Sequence, residues 1–162
     1  MCRRTLGRLT ATGDGPGVPI RTERTVRVEA PPEEVWAVLH RVGDYPSWWR
    51  WLRRFDARAL AVGERWRCTI RPPLPWTLQV DVLLVAVADG RVDAAVSGDV
   101  TGVASVTVEA DPAGGSRILL DATLDAAGGA TALLHRVAPG ASRWAHDRVV
   151  DAAVTGFRRR AL

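Results

Sequence analysis

Lysine is absent from this chain: all 22 of its basic side chains are arginine. A P-loop lysine, a cofactor Schiff base and an amine nucleophile are therefore excluded together. Asparagine is absent as well, which removes any N-linked glycosylation acceptor and any asparagine oxyanion donor. Both absences read as the mark of GC-rich codon usage. Cysteine is scarce, with Cys2 and Cys68 far apart and outside any CxxC spacing. Two lone thiols point to a reducing, cytoplasmic setting. Only three histidines, His40, His135 and His146, are present, and they are widely spaced, so no metal site is expected. Long apolar runs are missing too. The longest covers residues 82–88, far short of the ~20 needed to cross a bilayer, so no stable membrane insertion is expected. The first twenty residues hold no apolar stretch and no small-residue cleavage signature, and no secretion signal is expected.

What is present suits one globular domain. A chain of 162 residues buries roughly 70% of the surface its unfolded form exposes, enough for a core without staples. The net charge of +4 sits at the two ends, and the body between them is close to neutral. A nucleic-acid binder needs a continuous basic face, so no nucleic-acid partner is expected. The glycines of GDGPG at 13–17 follow no strand and open no helix, which makes them a linker and not a phosphate loop, and no cofactor is expected. Residues 1–20 read as a disordered extension and 21–162 as the domain.

Periodicity orders the elements. Residues 21–30 alternate, with Val26 and Val28 on one side, the pattern of a half-buried strand. Residues 30–43 open with Pro31 and Pro32 and carry Glu33 and Glu34 where a helix dipole favours acids. Val35, Val38, Leu39 and Val42 recur at helical spacing. A second short helix is expected over 44–54, capped by Asp44. Strands are expected over 57–62, 65–71, 76–88, 91–97, 102–110 and 116–126, with Asp89-Gly90 as a hairpin turn. A helix over 131–137, a break at Pro139-Gly140 and a helix over 141–162 of about 33 Å complete the chain. The order predicts an α+β fold: a curved antiparallel sheet of six to seven strands, two short helices after strand 1, and a long C-terminal helix.

Several stretches taken in this order resemble the START-like, Bet v 1-like superfamily, in its SRPBCC branch of polyketide cyclase/dehydrase and lipid-transport-like proteins. They are the strand leading into residues 30–39, the DYPSWW segment at 44–49, residues 63–76, the GDVTG turn at 98–102, and residues 146–160 on the last helix. The resemblance implies a helix-grip fold, with the sheet wrapped around the long helix and an apolar cavity between them. It implies binding of a hydrophobic small molecule, and in some members cyclisation or aromatisation. It carries over no catalytic residue.

The candidate ligand-binding residues are Trp49, Trp66, Cys68, Ile70, Trp76, Leu78, Val106, Leu120, His146 and Val149. Four of the seven tryptophans fall between residues 36 and 51. Trp48, Trp49 and Trp51 either wall the mouth of a pocket and stack on a planar ligand, or pack the short helices onto the sheet. Trp66 and Trp76 either line a cavity or fill a core. Cys68 reads as a small inward hydrophobe beside Trp66 and Ile70. His146, beside the small-residue stripe of the last helix, is the one acid/base candidate, set against a helix-flank histidine bonded locally to Asp147 or Arg143. His40 and His135 read as solvated side chains near helix ends. Arg50, Arg53, Arg54 and Arg58 recur at helical spacing and either engage an anionic group or form a solvated basic face. Arg158 to Arg160 suit a helix C-terminus.

The leading expectation is therefore a binder of a hydrophobic, cyclic or aromatic small molecule. Two alternatives stand beside it: a cyclase or dehydratase working in the same cavity through His146, and a membrane or protein interaction module using the Trp and Arg surface of residues 48–58.

Overall fold

The computed structural model describes residues 18–160. Seven strands, β1 (Ile20–Val28), β2 (Leu52–Asp56), β3 (Arg65–Ile70), β4 (Leu78–Ala88), β5 (Arg91–Gly98), β6 (Val100–Ala110) and β7 (Ser116–Ala126), form one curved antiparallel sheet. Their spatial order is β1-β7-β6-β5-β4-β3-β2, so β1 and β2 are its two edges. The helices are α1 (Pro32–Leu39), α2 (Tyr45–Trp48), α3 (Gly129–Val137) and α4 (Pro139–Arg160), with a 3-10 turn at Val42–Asp44. The expected extension 1–20 lies almost wholly outside the described residues, and β1 begins at Ile20.

Local chemistry explains most boundaries. Asp89 and Gly90 both take positive φ, as the two central positions of a tight β4–β5 hairpin require. Pro31 and Pro32 start α1, and its first turn holds Glu33 and Glu34. One expected helix is corrected. Residues 44–54 are helical only through Trp48, because Trp49 turns to φ −124 and ψ 97 and sends the chain into β2. Pairing of β2 with β3 along the sheet edge overrides the helical spacing of Arg50, Arg53 and Arg54, which lie on a connection and a strand. Asp44 does not cap α2 through its side chain but accepts hydrogen bonds from Arg41. The strand expected over 57–62 is a loop instead. It buries Leu60 and reverses through an Ala61–Glu64 turn into β3.

Register assigns the faces of the sheet. Thr22, Ala122, Ala104, Ala94 and Leu84 form one row across five strands, and Arg24, Leu120, Val106 and Val92 form another. Both rows face the helices, because Thr22 and Arg24 reach α4. Val35, completely buried on α1, packs over β6 and β7. The opposite face carries ion pairs such as Arg91–Asp93 and Arg117–Glu109.

Candidate functional site

α4 is fastened at both edges of the sheet. At the β1 edge His146 Nε2 lies 2.5 Å from Thr22 Oγ1, and Arg24 pairs with Asp147 at 3.6 Å and Asp151 at 4.0 Å. Toward the β2 edge, α4 meets α2. Trp49 Nε1 donates to the Ala153 carbonyl at 2.8 Å, and Phe157 packs edge-on against Trp48 at 5.8 Å. Gly156 permits this approach: a Cβ there would stand 2.5 Å from the Trp48 carbonyl oxygen and 2.9 Å from Trp49 Cδ1. Between these fastenings five apolar inner side chains of the middle strands, Val96, Ala104, Val106, Leu120 and Leu124, stay only half-buried, while Val92, Ala94, Val108, Ile118 and Ala122 on the same face are buried. A helix packed down onto the sheet would have buried them.

Beside α4 lies a cleft of about 630 Å³. One wall is the outer flank of α4, with Arg148, Val149, Asp151, Ala152 and Thr155. The α2–β2 connection and β2 bring Arg50, Trp51 and Arg53, and the β3–β4 connection brings Arg71, Pro72 and Pro73. The cleft thus joins an apolar floor to an arginine-rich rim. Trp51 Nε1 is buried and has no hydrogen-bond partner among the described residues.

The aromatic residues between 45 and 66 work chiefly as packing. Tyr45 is the hub, with its ring 4.9 Å from Trp49, 5.0 Å from Trp48, 5.6 Å from Phe55 and 5.8 Å from Trp66. Its hydroxyl donates to the Leu39 carbonyl, and burial pushes its ionisation well above the ordinary tyrosine range. Trp48 is 3% exposed. Trp49 and Trp51 stack at 5.7 Å. Trp66 donates its indole N–H to the Ala59 carbonyl.

Of the ten sequence-predicted ligand residues, Val149 alone lines the cleft. Trp66, Val106 and Leu120 lie in the helix-facing rows of the sheet, and His146 faces that side through Thr22. Cys68 is buried in β3 opposite Val80, and Ile70 pairs with Leu78. Trp76 lies on the connection and donates to Thr131 of α3. Trp49 is taken up by the aromatic cluster. Sequence reasoning missed Arg71, Arg148, Pro72, Pro73, Asp151 and Thr155. The arginines singled out at 50, 53, 54 and 58 signalled only the wall that holds Arg50 and Arg53, and nothing in the sequence signalled the residues of α4 beyond Val149.

Two titratable groups are shifted by burial. The His146 imidazole is held below its ordinary range by desolvation, then by Arg24 and Arg143, against the opposing pull of Asp147. It stays neutral at physiological pH. The Cys68 thiol is pushed up to about 11 by burial and by Asp81, which leaves it a poor nucleophile. His135 corrects its expected solvated position. It is buried at 7% exposure, with Nε2 3.0 Å from the Val18 carbonyl and Nδ1 3.4 Å from Ser142 Oγ. Among the described residues no three His, Cys, Asp or Glu side chains gather into a metal site, and no helix is long and apolar enough to cross a membrane.

A sheet that curves around a long C-terminal helix, with short helices after its first strand, defines the START-like helix-grip class of proteins. The sequence profile of the polyketide cyclase/dehydrase and lipid transport family matches residues 19–162, and the chain belongs to that family. No curated protein matches it in sequence. Among solved structures it is similar to the Zhui aromatase/cyclase of a Streptomyces species, with TM-score 0.70 and 16% identity over 88% of this chain and 93% of that one. It is similar to a START superfamily protein from Mycobacterium smegmatis, with TM-score 0.68 and 11% identity over 87% and 96%. It also resembles the di-domain aromatase/cyclase BexL, with TM-score 0.69 and 16% identity over 90% of this chain and 51% of that one. At these identities the likeness is one of fold.

Proposed function

We propose that this protein binds a hydrophobic small molecule, cyclic or aromatic, between α4 and the inner face of the sheet, with the cleft at Val149 as the way in. The observation that carries this reading is the group of apolar side chains left half-buried on the inner face of β5, β6 and β7, Val96, Ala104, Val106, Leu120 and Leu124, beneath a helix fastened at both sheet edges. Apolar side chains left short of full burial under a secondary-structure layer are what a ligand would cover. Family membership supports the same reading. The working unit is a single domain that includes β1 from Ile20 onward, and the free, buried Cys68 suits a reducing cytoplasm.

Native mass spectrometry of freshly purified protein, set against its denatured mass, tests the reading. A bound apolar species that leaves on denaturation supports it. An empty protein whose tryptophan fluorescence ignores a panel of polycyclic aromatics and lipids overturns it.

A second reading, a cyclase or dehydratase step in the same space, rests on His146. Its imidazole is neutral and set on the sheet-facing side of α4; in the tautomer whose Nε2–H donates to Thr22 Oγ1, Nδ1 carries the lone pair that a general base uses. With a linear poly-β-ketone surrogate, His146→Ala should lose at least about a hundredfold in turnover while binding persists. Equal turnover removes the assignment. The interaction module of residues 48–58 is disfavoured, because Trp48 is buried and Trp49 is bonded to α4.

A further inference from the structure

The cleft beside α4 gathers arginines that form no ion pair among the described residues. Arg50, Arg53, Arg71 and Arg148 line it, all exposed, against a single carboxylate, Asp151. That carboxylate is already engaged by Arg24. Five arginines elsewhere on the sheet and its connections pair with acids: Arg27 with Asp111, Arg41 with Asp44, Arg65 with Asp81, Arg91 with Asp93, Arg117 with Glu109. Arg54, Arg58 and Arg67 have no such partner among the described residues, but they do not line this cleft. The cleft arginines have no carboxylate partner among the described residues, and Arg148 only overlies the Trp144 ring at 5.7 Å. Four guanidiniums around one concavity repel one another, and an anion between them relieves that repulsion. Guanidinium also matches the planar geometry of an oxyanion, with two parallel N–H donors. The floor under these charges is apolar, through Trp51, Pro72 and Val149. Trp51 adds an indole N–H with no partner among the described residues.

We infer that the ligand is an amphiphilic anion: an apolar body of the kind proposed above, carrying one compact oxyanion, a carboxylate, phosphate or sulfonate, that the cleft arginines hold at the rim. This rests on the reading that the protein binds an apolar small molecule, and it names the class of that molecule. Binding would be oriented, with the charged end at Arg50, Arg53, Arg71 and Arg148 and the apolar end toward the sheet. It would also weaken with salt, unlike burial of an uncharged ligand.

Two dyes that differ by one charge separate the possibilities: anilinonaphthalene sulfonate and its uncharged parent, phenylnaphthylamine. The expected result is that the sulfonate binds at least roughly tenfold more tightly at low salt. Arg71→Glu and Arg148→Glu should each remove most of that advantage, with the uncharged dye still bound and a wild-type Tm showing that the variants are folded. Arg136→Glu on α3, away from the cleft, should change neither affinity. Equal affinity for the two dyes, or an advantage that survives both cleft variants, overturns the anionic assignment and leaves apolar binding standing. Failure of both dyes to bind overturns the apolar reading and this inference with it.

Discussion

Thr22 Oγ1 and His146 Nε2 meet at 2.5 Å across 124 positions of sequence, joining the edge strand β1 to the middle of α4. Thr22 is almost wholly buried, so this contact sits inside the structure and not on its rim. It ties the helix to the sheet edge at a histidine whose ionisation is lowered chiefly by burial.

The first prediction concerns acid. Burial lowers the His146 pKa in the folded state, so on acidification the unfolded chain takes up this proton first, near ~6.5. The stability contributed by neutral His146 is present above that pH and is lost as pH falls through the folded-state value. Urea midpoints measured from about pH 7.5 down to about pH 5 should drop more steeply for wild type than for His146→Gln. Parallel curves would show that the histidine is not desolvated.

The second concerns the close approach at Gly156. Gly156→Ala places a methyl group against the Trp48 carbonyl and the Trp49 ring, both held by the aromatic cluster. It should cost about 1–3 kcal/mol, read as a fall in Tm of several degrees. Gly140→Ala, in the first turn of the same helix with nothing within 4 Å, should be neutral or mildly stabilising.

The third separates an open space from a filled core. Val106→Phe adds volume at a half-buried position in the middle of the inner face. With free space above it, Tm stays within a few degrees while ligand affinity falls by at least roughly tenfold. In a filled core the same change costs about 1–3 kcal/mol of stability.

The fourth concerns Trp66, whose ring packs on Tyr45 and Phe55 and whose N–H is bonded to Ala59. Trp66→Ala should destabilise by about 3–5 kcal/mol in chemical denaturation, a packing loss and not a ligand effect. A variant as stable as wild type would return this indole to the ligand site.

The fifth is chemical. In a Cys2→Ser background the native protein should resist iodoacetamide at neutral pH, because the Cys68 thiol ionises only at about 11. Labelling should appear on unfolding in urea.

Much of the fold was legible because its signals are local. Alternation in β3 and β6 identified their faces and Asp89-Gly90 marked a hairpin, while Pro139-Gly140, read as a break, open α4 after a break at Ala138. Residues 49–54 were misread because arginine and tryptophan tolerate helix and strand alike, and pairing with β3 decides between them only in three dimensions. His135 was misread because its burial comes from Val18 and Ser142, neither of which is visible from its own helix. The candidate site was legible least. Its walls come from three separate stretches, and only Val149 stood among the ten predicted residues.

The two fastenings of α4 differ in kind, and this gives the molecule an asymmetric door. At β1 the hold is made by a hydroxyl, an imidazole and ion pairs, which proton uptake and added salt weaken. At α2 it is made by indole and phenyl rings meeting at a glycine, which neither disturbs. Mild acid or high ionic strength is therefore expected to weaken the β1 hold before the α2 hold.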